Sequence, residues 1–301
     1  TRRSSDLECS NLKKALMDSW SLRQAVLSDY PALARFLQVQ AYVHRHLDWR
    51  PTLDWLGFQP FFLLEDSTGI QAVLGCPQDP PGVAWVRVFA CTDEDHLRPA
   101  WEQLFTAARQ ALPEPRPTLA LLALYEWVAD LAPWVGLQKT QDIVVLEWNQ
   151  RVPPIAAAQG EVRVEVMRLT DLPAVLALDQ RAFGSLWQLS ADSLERCFRQ
   201  AGYATLAWLD GQPVGYQIST HTSYAAHLAR LAVRPDLQRR GIGAAILGEL
   251  QSHYQNRGVW RLTVNTQSDN HASLSLYHRA GFRETGDRFP VFVYAEPQSE
   301  G

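Results

Sequence analysis

Two stretches of this 301-residue chain repeat one pattern of apolar and polar positions. "SLRQAVLSDYPALARFLQVQ", Ser21 to Gln40, opens as a short strand-like run, passes an aspartate, and continues with apolar residues at helical spacing. "RVEVMRLTDLPAVLALDQRAF", Arg163 to Phe183, does the same. Asp29 and Asp171 stand at the matching helix starts, where a carboxylate can accept from unpaired N–H groups. Strand-like runs follow in both halves: "PFFLLED" (Pro60 to Asp66) and "VAWVRVFA" (Val83 to Ala90), then "YATLAWLDGQPVGYQIS" (Tyr203 to Ser219) and "LARLAV" (Leu228 to Val233). Asp210-Gly211 between two alternating runs is a hairpin signal. Closing strands are expected at "DIVVLEW" (Asp142 to Trp148) and "FPVFVYA" (Phe289 to Ala295). The pattern predicts a tandem duplication of an α/β unit with a mixed sheet. The first copy is expected over residues 1–150 and the second over 163–301, joined across 151–162 by the Pro- and Ala-rich "RVPPIAAAQGE".

Composition narrows the class. The chain is 47% hydrophobic and 20% charged, which is the make-up of a globular protein. Net charge is −4, which argues against a general nucleic-acid footprint. Cys9, Cys76, Cys91 and Cys197 have neither zinc-site nor C-x-x-C spacing, so a cytoplasmic setting with reduced thiols is the default expectation. The first residues lack the apolar core of a signal peptide, and no run is long enough to cross a membrane. No metal is expected; His44 and His46 in "YVHRHLDW" lack a third ligand and read as a solvated helix face.

The second half carries a more specific signal. In "RLAVRPDLQRRGIGAAILGEL", Arg230 to Leu250, an apolar strand hands over to a helix through Arg239, Arg240, Gly241, Ile242 and Gly243. Free N–H groups at a helix start, glycines that admit close approach, and paired arginines together suit a pyrophosphate. The spacing is not that of a Walker loop, and Ile246 stands where a dinucleotide fingerprint needs its third glycine. Further on, "NHASLSLYHRAGF", Asn270 to Phe282, follows the strand "RLTVN".

The two motifs, in this order, resemble those of the GCN5-related N-acetyltransferases, the GNAT family. The resemblance is specific over Arg163 to Ala295 and extends only to the fold over Ser21 to Trp148. It implies two GNAT-like domains, each a mixed, mostly antiparallel twisted sheet flanked by helices. It also implies acetyl-coenzyme A as co-substrate and an amine acceptor that attacks directly in a ternary complex. By the same resemblance, the backbone of Leu231, Ala232 and Val233 would hold the pantetheine arm. Arg239, Arg240, Gly241, Ile242, Gly243 and Ala244 would hold the pyrophosphate. Asn270 would contact the cofactor, and Tyr277 would protonate the departing sulfur.

The general base is open. The branch of the family that acetylates protein N-termini has a Glu where Asn265 stands here, and Asn cannot accept the proton. His221 and His227 have a suitable ordinary pKa, and each also reads as a loop histidine. For the acceptor side, Asp179, Phe183, Trp187 and Glu195 are candidates. In the first copy, Arg98, Pro99 and Ala100 fall on Gly241, Ile242 and Gly243, Asp93-Glu94-Asp95 precedes them, and Ala132 falls on Tyr277. That copy is expected to bind no coenzyme A. A coenzyme A-binding module without transfer, and a transferase of a longer acyl group, are the alternative functions.

Overall fold

The structure, a computed structural model, describes residues 20–156 and 162–295; residues 157–161 of the expected linker, the N-terminal segment and Cys9 lie outside them. The chain divides into two compact units. The first takes the residues through Gln78, Ala84–Gln138 and the chain from Val293, and the second takes Asp79–Val83 and Lys139–Phe292.

The first unit contains β1 (Ser21–Gln24), α1 (Tyr30–Val39), β2 (Tyr42–Arg45), β3 (Phe61–Asp66), β4 (Gly69–Gly75), β5 (Val83–Trp85), β6 (Val88–Cys91), α2 (Glu94–Ala111), β7 (Thr118–Leu122) and α3 (Glu126–Leu131). Five strands form an antiparallel sheet in the order β1-β3-β4-β6-β2. Leu33 and Phe36 of α1 pack with Trp55, Phe61, Leu63 and Val73 in its core. The strand β2 corrects the reading of "YVHRHLDW" as a solvated helix face. Its residues Tyr42–Arg45 pair with Cys91–Val88, and His44 is fully buried opposite Phe89.

The second unit contains β8 (Leu137–Asn149), β9 (Arg163–Val166), α4 (Leu172–Ala182), α5 (Ala191–Arg199), β10 (Tyr203–Leu209), β11 (Gln212–His221), β12 (Ala225–Val233), α6 (Ile242–Asn256), β13 (Arg261–Gln267), α7 (His271–Arg279) and β14 (Arg283–Tyr294). Its strands run in the order β14-β8-β13-β12-β11-β10-β9. Pairing is antiparallel in β9–β10, β10–β11, β11–β12 and β13–β8, and parallel between β12 and β13. The sequence reads "DIVVLEW" as the closing strand of the first copy. In the structure it extends to β8 and pairs with β13 from Ile143↔Gln267 to Asn149↔Arg261, so it completes the second unit's sheet.

Local signals form as the residues dictate. Asp29 and Asp171 each accept the backbone N–H of the residue three before, Val26 and Arg168, at 2.8 Å; this closes the turn that leads into the helix, and neither side chain caps α1 or α4 itself. Asp210 and Gly211 both have positive φ, 51° and 73°, which a two-residue hairpin turn requires. Gly136 and Gly281, at matching positions before β8 and β14, both take the left-handed conformation. Among the described residues no helix is long and apolar enough to cross a membrane.

Candidate functional site

The site is built around the parallel pair of strands β12 and β13 in the second unit. The register of β12 and β13 runs from Ala225↔Arg261 to Leu228↔Val264 and stops there. Both strands continue. Leu231, Ala232 and Val233 go on pairing with Gln217, Tyr216 and Gly215 of β11, and Asn265 to Gln267 go on pairing with β8. The strands therefore part after Leu228 and Val264, and the backbone edge of Leu231–Val233 that faces β13 is left open. An extended ligand with amide groups can pair with such an edge as another strand would.

A bulge reinforces the geometry. Ile218 pairs with Arg230 and Ser219 with Leu228, so Ala229 is the extra residue of β12. Before the bulge, Ala226 and Leu228 pack with Leu247, Leu250, Val264 and Tyr277. After it, Leu231 and Val233 pack with Ile242 and Ile246, again on the α6 side. His227 and Arg230 consequently share the opposite face, the one toward α4.

At the end of β12 the chain makes a short turn, and α6 starts at Ile242. Gly241 is left-handed (φ 84°) at its N-cap, and no side chain caps the helix. The N–H groups of Ile242, Gly243 and Ala244 have no intrahelical partner and stay open. A Cβ at Gly243 would stand 3.1 Å from Leu276 Cδ2, so a side chain there would press on the end of Leu276 at the helix start. Arg239 (φ 63°) and Arg240 are exposed and hold no carboxylate among the described residues. Arg234 is committed to Asp236 at 2.9 Å, while the Gln238 amide donates to the Val233 carbonyl and ties the turn to the strand. Open N–H groups, a helix dipole and two free cations form an anion cradle at the mouth of the parted strands.

Tyr277 stands on α7, buried (4% exposed) in the cluster that includes Leu228 and Val264, the last parallel pair. Its hydroxyl has no hydrogen-bond partner among the described residues, and burial pushes its pKa above the ordinary tyrosine range. It is therefore protonated at neutral pH. Asn270 has a second duty that the sequence reading lacks. It is the N-cap of α7, and its side-chain oxygen accepts from Ser273 N–H at 3.1 Å. Its amide nitrogen is 3.4 Å from Gln267 Oε1.

The acceptor-side candidates divide. Asp179 of α4 is fully buried; it binds Arg230 and the Tyr216 hydroxyl through Oδ2, and accepts Leu189 N–H at 2.9 Å through Oδ1. That carboxylate is committed to the fold. Arg230 also donates to the Trp187 carbonyl at 3.0 Å and lies 3.9 Å over the Phe183 ring. The pair thus anchors the segment 183–189 to the sheet. Glu195 is in an exposed ion pair with Arg199. The two candidate histidines face opposite ways. His221 lies against Tyr254 of α6, with ring centroids 5.9 Å apart. His227 lies on the α4 face, with its Nδ1 2.9 Å from Thr263 Oγ1. Among the described residues no group of three or more His, Cys, Asp or Glu could hold a metal ion.

Comparison with known proteins identifies the family. Residues 172–282 match the Acetyltransferase (GNAT) family. The [ribosomal protein bS18]-alanine N-acetyltransferase of Escherichia coli (strain K12) is 30% identical over 121 residues, which is 40% of this chain and 80% of that protein. The chain belongs to the GNAT acetyltransferase family. A mycothiol acetyltransferase of Pseudarthrobacter chlorophenolicus is 27% identical over 198 residues, 59% of each chain. Among solved structures, a tandem GNAT protein from the clavulanic acid biosynthesis pathway has a TM-score of 0.62 at 16% identity and covers 93% of this chain and 99% of its own. A GCN5-related N-acetyltransferase from Sphaerobacter thermophilus has a TM-score of 0.60 at 19% identity, covering 92% and 95%. These two similarities are of fold. As a GNAT acetyltransferase, the protein is an enzyme of the acyltransferase class.

Proposed function

We propose that the second unit moves an acetyl group from acetyl-coenzyme A to a primary amine, on a small molecule or a peptide, by direct attack in a ternary complex. The observation that carries this is the parting of β12 and β13 after Leu228↔Val264, next to an uncapped helix start. An extended pantetheine arm fits the open edge of Leu231, Ala232 and Val233. Its pyrophosphate fits the cradle formed by Arg239, Arg240, Gly241, Ile242, Gly243 and Ala244. Asn270 borders the arm with its amide while its oxygen caps α7. When bound, the co-substrate supplies a thioester; the chain's own residues orient it and move the protons. Tyr277 is the acid for the departing thiolate. Burial pushes the Cys76 and Cys197 thiols up to about 12 and the Cys91 thiol to about 11, so these three stay protonated at neutral pH and suit no acyl-carrying role, which supports direct attack.

The first unit is a second copy of the fold that holds no coenzyme A. Its Val88, Phe89 and Ala90 correspond to Leu231, Ala232 and Val233. Here the free edge is taken by β2, so β6 has β4 on one side and β2 on the other. The turn is gone as well. The helix α2 begins at Glu94, capped by Asp93 at His96 N–H, and the counterparts of the glycines lie inside it. The domain reading is therefore one working copy and one closed copy, in a protein whose expected setting is the cytoplasm.

Free thiol release from acetyl-coenzyme A over a panel of amines tests this. Release that depends on an amine supports the proposal. Binding without release on every amine would favour a coenzyme A-binding module, and a preference for longer thioesters would move the assignment to a longer acyl group.

A further inference from the structure

We infer that His227 is the general base that takes the proton from the attacking amine, held in register by Thr263. The inference rests on the transferase reading above and adds to it the residue that deprotonates the acceptor.

Position selects His227. It precedes Leu228, the last residue of β12 paired with β13, so its Cα lies one residue from the point where the strands part. Pleat and bulge put its side chain on the α4 face, away from the apolar cluster that closes the α6 and α7 side. Tyr277 belongs to that closed side. The proposed acid and base thus flank the parting point from opposite faces, as a reaction needs when it releases a proton at the amine and consumes one at the sulfur. The other histidine, His221, packs against Tyr254 on the α6 side and is excluded.

Thr263 orients the ring. Its Oγ1 lies 3.3 Å from the Ala226 carbonyl and 2.9 Å from His227 Nδ1, so in the tautomer the inference assigns the hydroxyl donates to the carbonyl and accepts from Nδ1–H. Nε2 then carries the lone pair and has no partner among the described residues. Charge around it is neutralised pairwise. On the same face, Arg230 is bound to Asp179 of α4, and Arg261 of β13 to Glu147 of β8 at 2.8 Å. On α5, Arg196 is paired with Asp192 and Arg199 with Glu195. Burial is the one cause that shifts the ring, and it holds the pKa below the ordinary 6.5, so the neutral base prevails at pH 7. Asn265, two residues past Thr263 on the same face of β13, cannot do this work.

The step balances. The amine nitrogen forms the C–N bond as the thioester C–S bond breaks. One N–H proton goes to His227 Nε2, directly or through one water, and the thiolate takes the Tyr277 proton. The products are an amide and free coenzyme A thiol; return of the proton from His227 to Tyr277 through solvent restores both groups.

The test is the pH profile of kcat/KM for the amine, once wild-type transfer has been measured. Wild type should lose activity toward acid as a group below pH 6.5 protonates. His227→Gln should lower kcat about 100-fold or more and flatten that limb. Its calorimetric Kd for acetyl-coenzyme A should stay within about twofold, which also shows that the variant folds. His227→Glu should recover part of kcat with the limb moved to carboxylate pH, and Thr263→Val, which leaves the base in place but unanchored, should lose about tenfold in kcat at unchanged Kd. An unchanged kcat and limb in His227→Gln overturns the inference while leaving the transferase reading intact. A wild type that binds acetyl-coenzyme A but transfers to no amine overturns the reading, and this inference with it.

Discussion

In the proposed reaction the buried side chain of Tyr277 serves two ends. Packed with Leu228, Val264 and Phe282, it contributes apolar area to the core, and the same burial keeps its hydroxyl protonated. Because that hydroxyl has no partner among the described residues, Tyr277→Phe leaves no orphaned group behind. The variant should keep its thermal midpoint and its Kd for acetyl-coenzyme A while turnover falls about 100-fold, as thiol release would record. Turnover within about twofold of wild type would remove Tyr277 from the chemistry. The tyrosine, the glycines and the arginines stand out in the sequence as candidates because each belongs to a motif of closely spaced residues. The Asp179–Arg230 pair was not, since 51 residues separate its members. Nor could the sequence separate His227 from His221; the choice depends on the pleat and on the bulge at Ala229.

At the scale of elements, β2 is the least expected finding. "YVHRHLDW" offers a tyrosine, a valine and alternating histidines, a pattern that suits a strand as well as a helix face, and only the free edge of β6 decides between them. The strand buries His44, whose pKa burial lowers to about 4 from the ordinary 6.5. His46 is lowered in the same direction, also by burial first. Folding thus holds His44 neutral, and the unfolded chain binds the proton more readily. The resulting stabilisation is complete above pH 6.5 and is lost as pH falls from 6.5 toward 4. At pH 5 the loss from His44 alone is about 2 kcal/mol. The urea midpoint should fall between pH 7 and pH 5, above the range where carboxylates titrate, and fall less in His44→Leu. An equal fall in both proteins would show that His44 is not held neutral by β2. The repeat of helix starts at Asp29 and Asp171 and the hairpin at Asp210-Gly211 were readable in advance because their signals are local. The partner of β8 was not, because strand order is set by long-range pairing.

At the scale of the whole molecule, the proposed function pairs one open site with one closed one. The sequence reading of a closed first copy rests on its acidic, glycine-free segment, and two structural features support it: helix α2 in place of the turn, and β2 along the edge. The boundary it suggested was less apt. A cut at residue 163 would remove β8 from between β13 and β14, so the second copy is not self-contained from that point. A calorimetric titration of the full chain with acetyl-coenzyme A tests the single open site most directly. One site per chain is expected, with affinity reduced at least about tenfold by Gly243→Val, which adds a side chain at the cradle and against Leu276. Two sites per chain, no binding, or one site indifferent to Gly243→Val would contradict it.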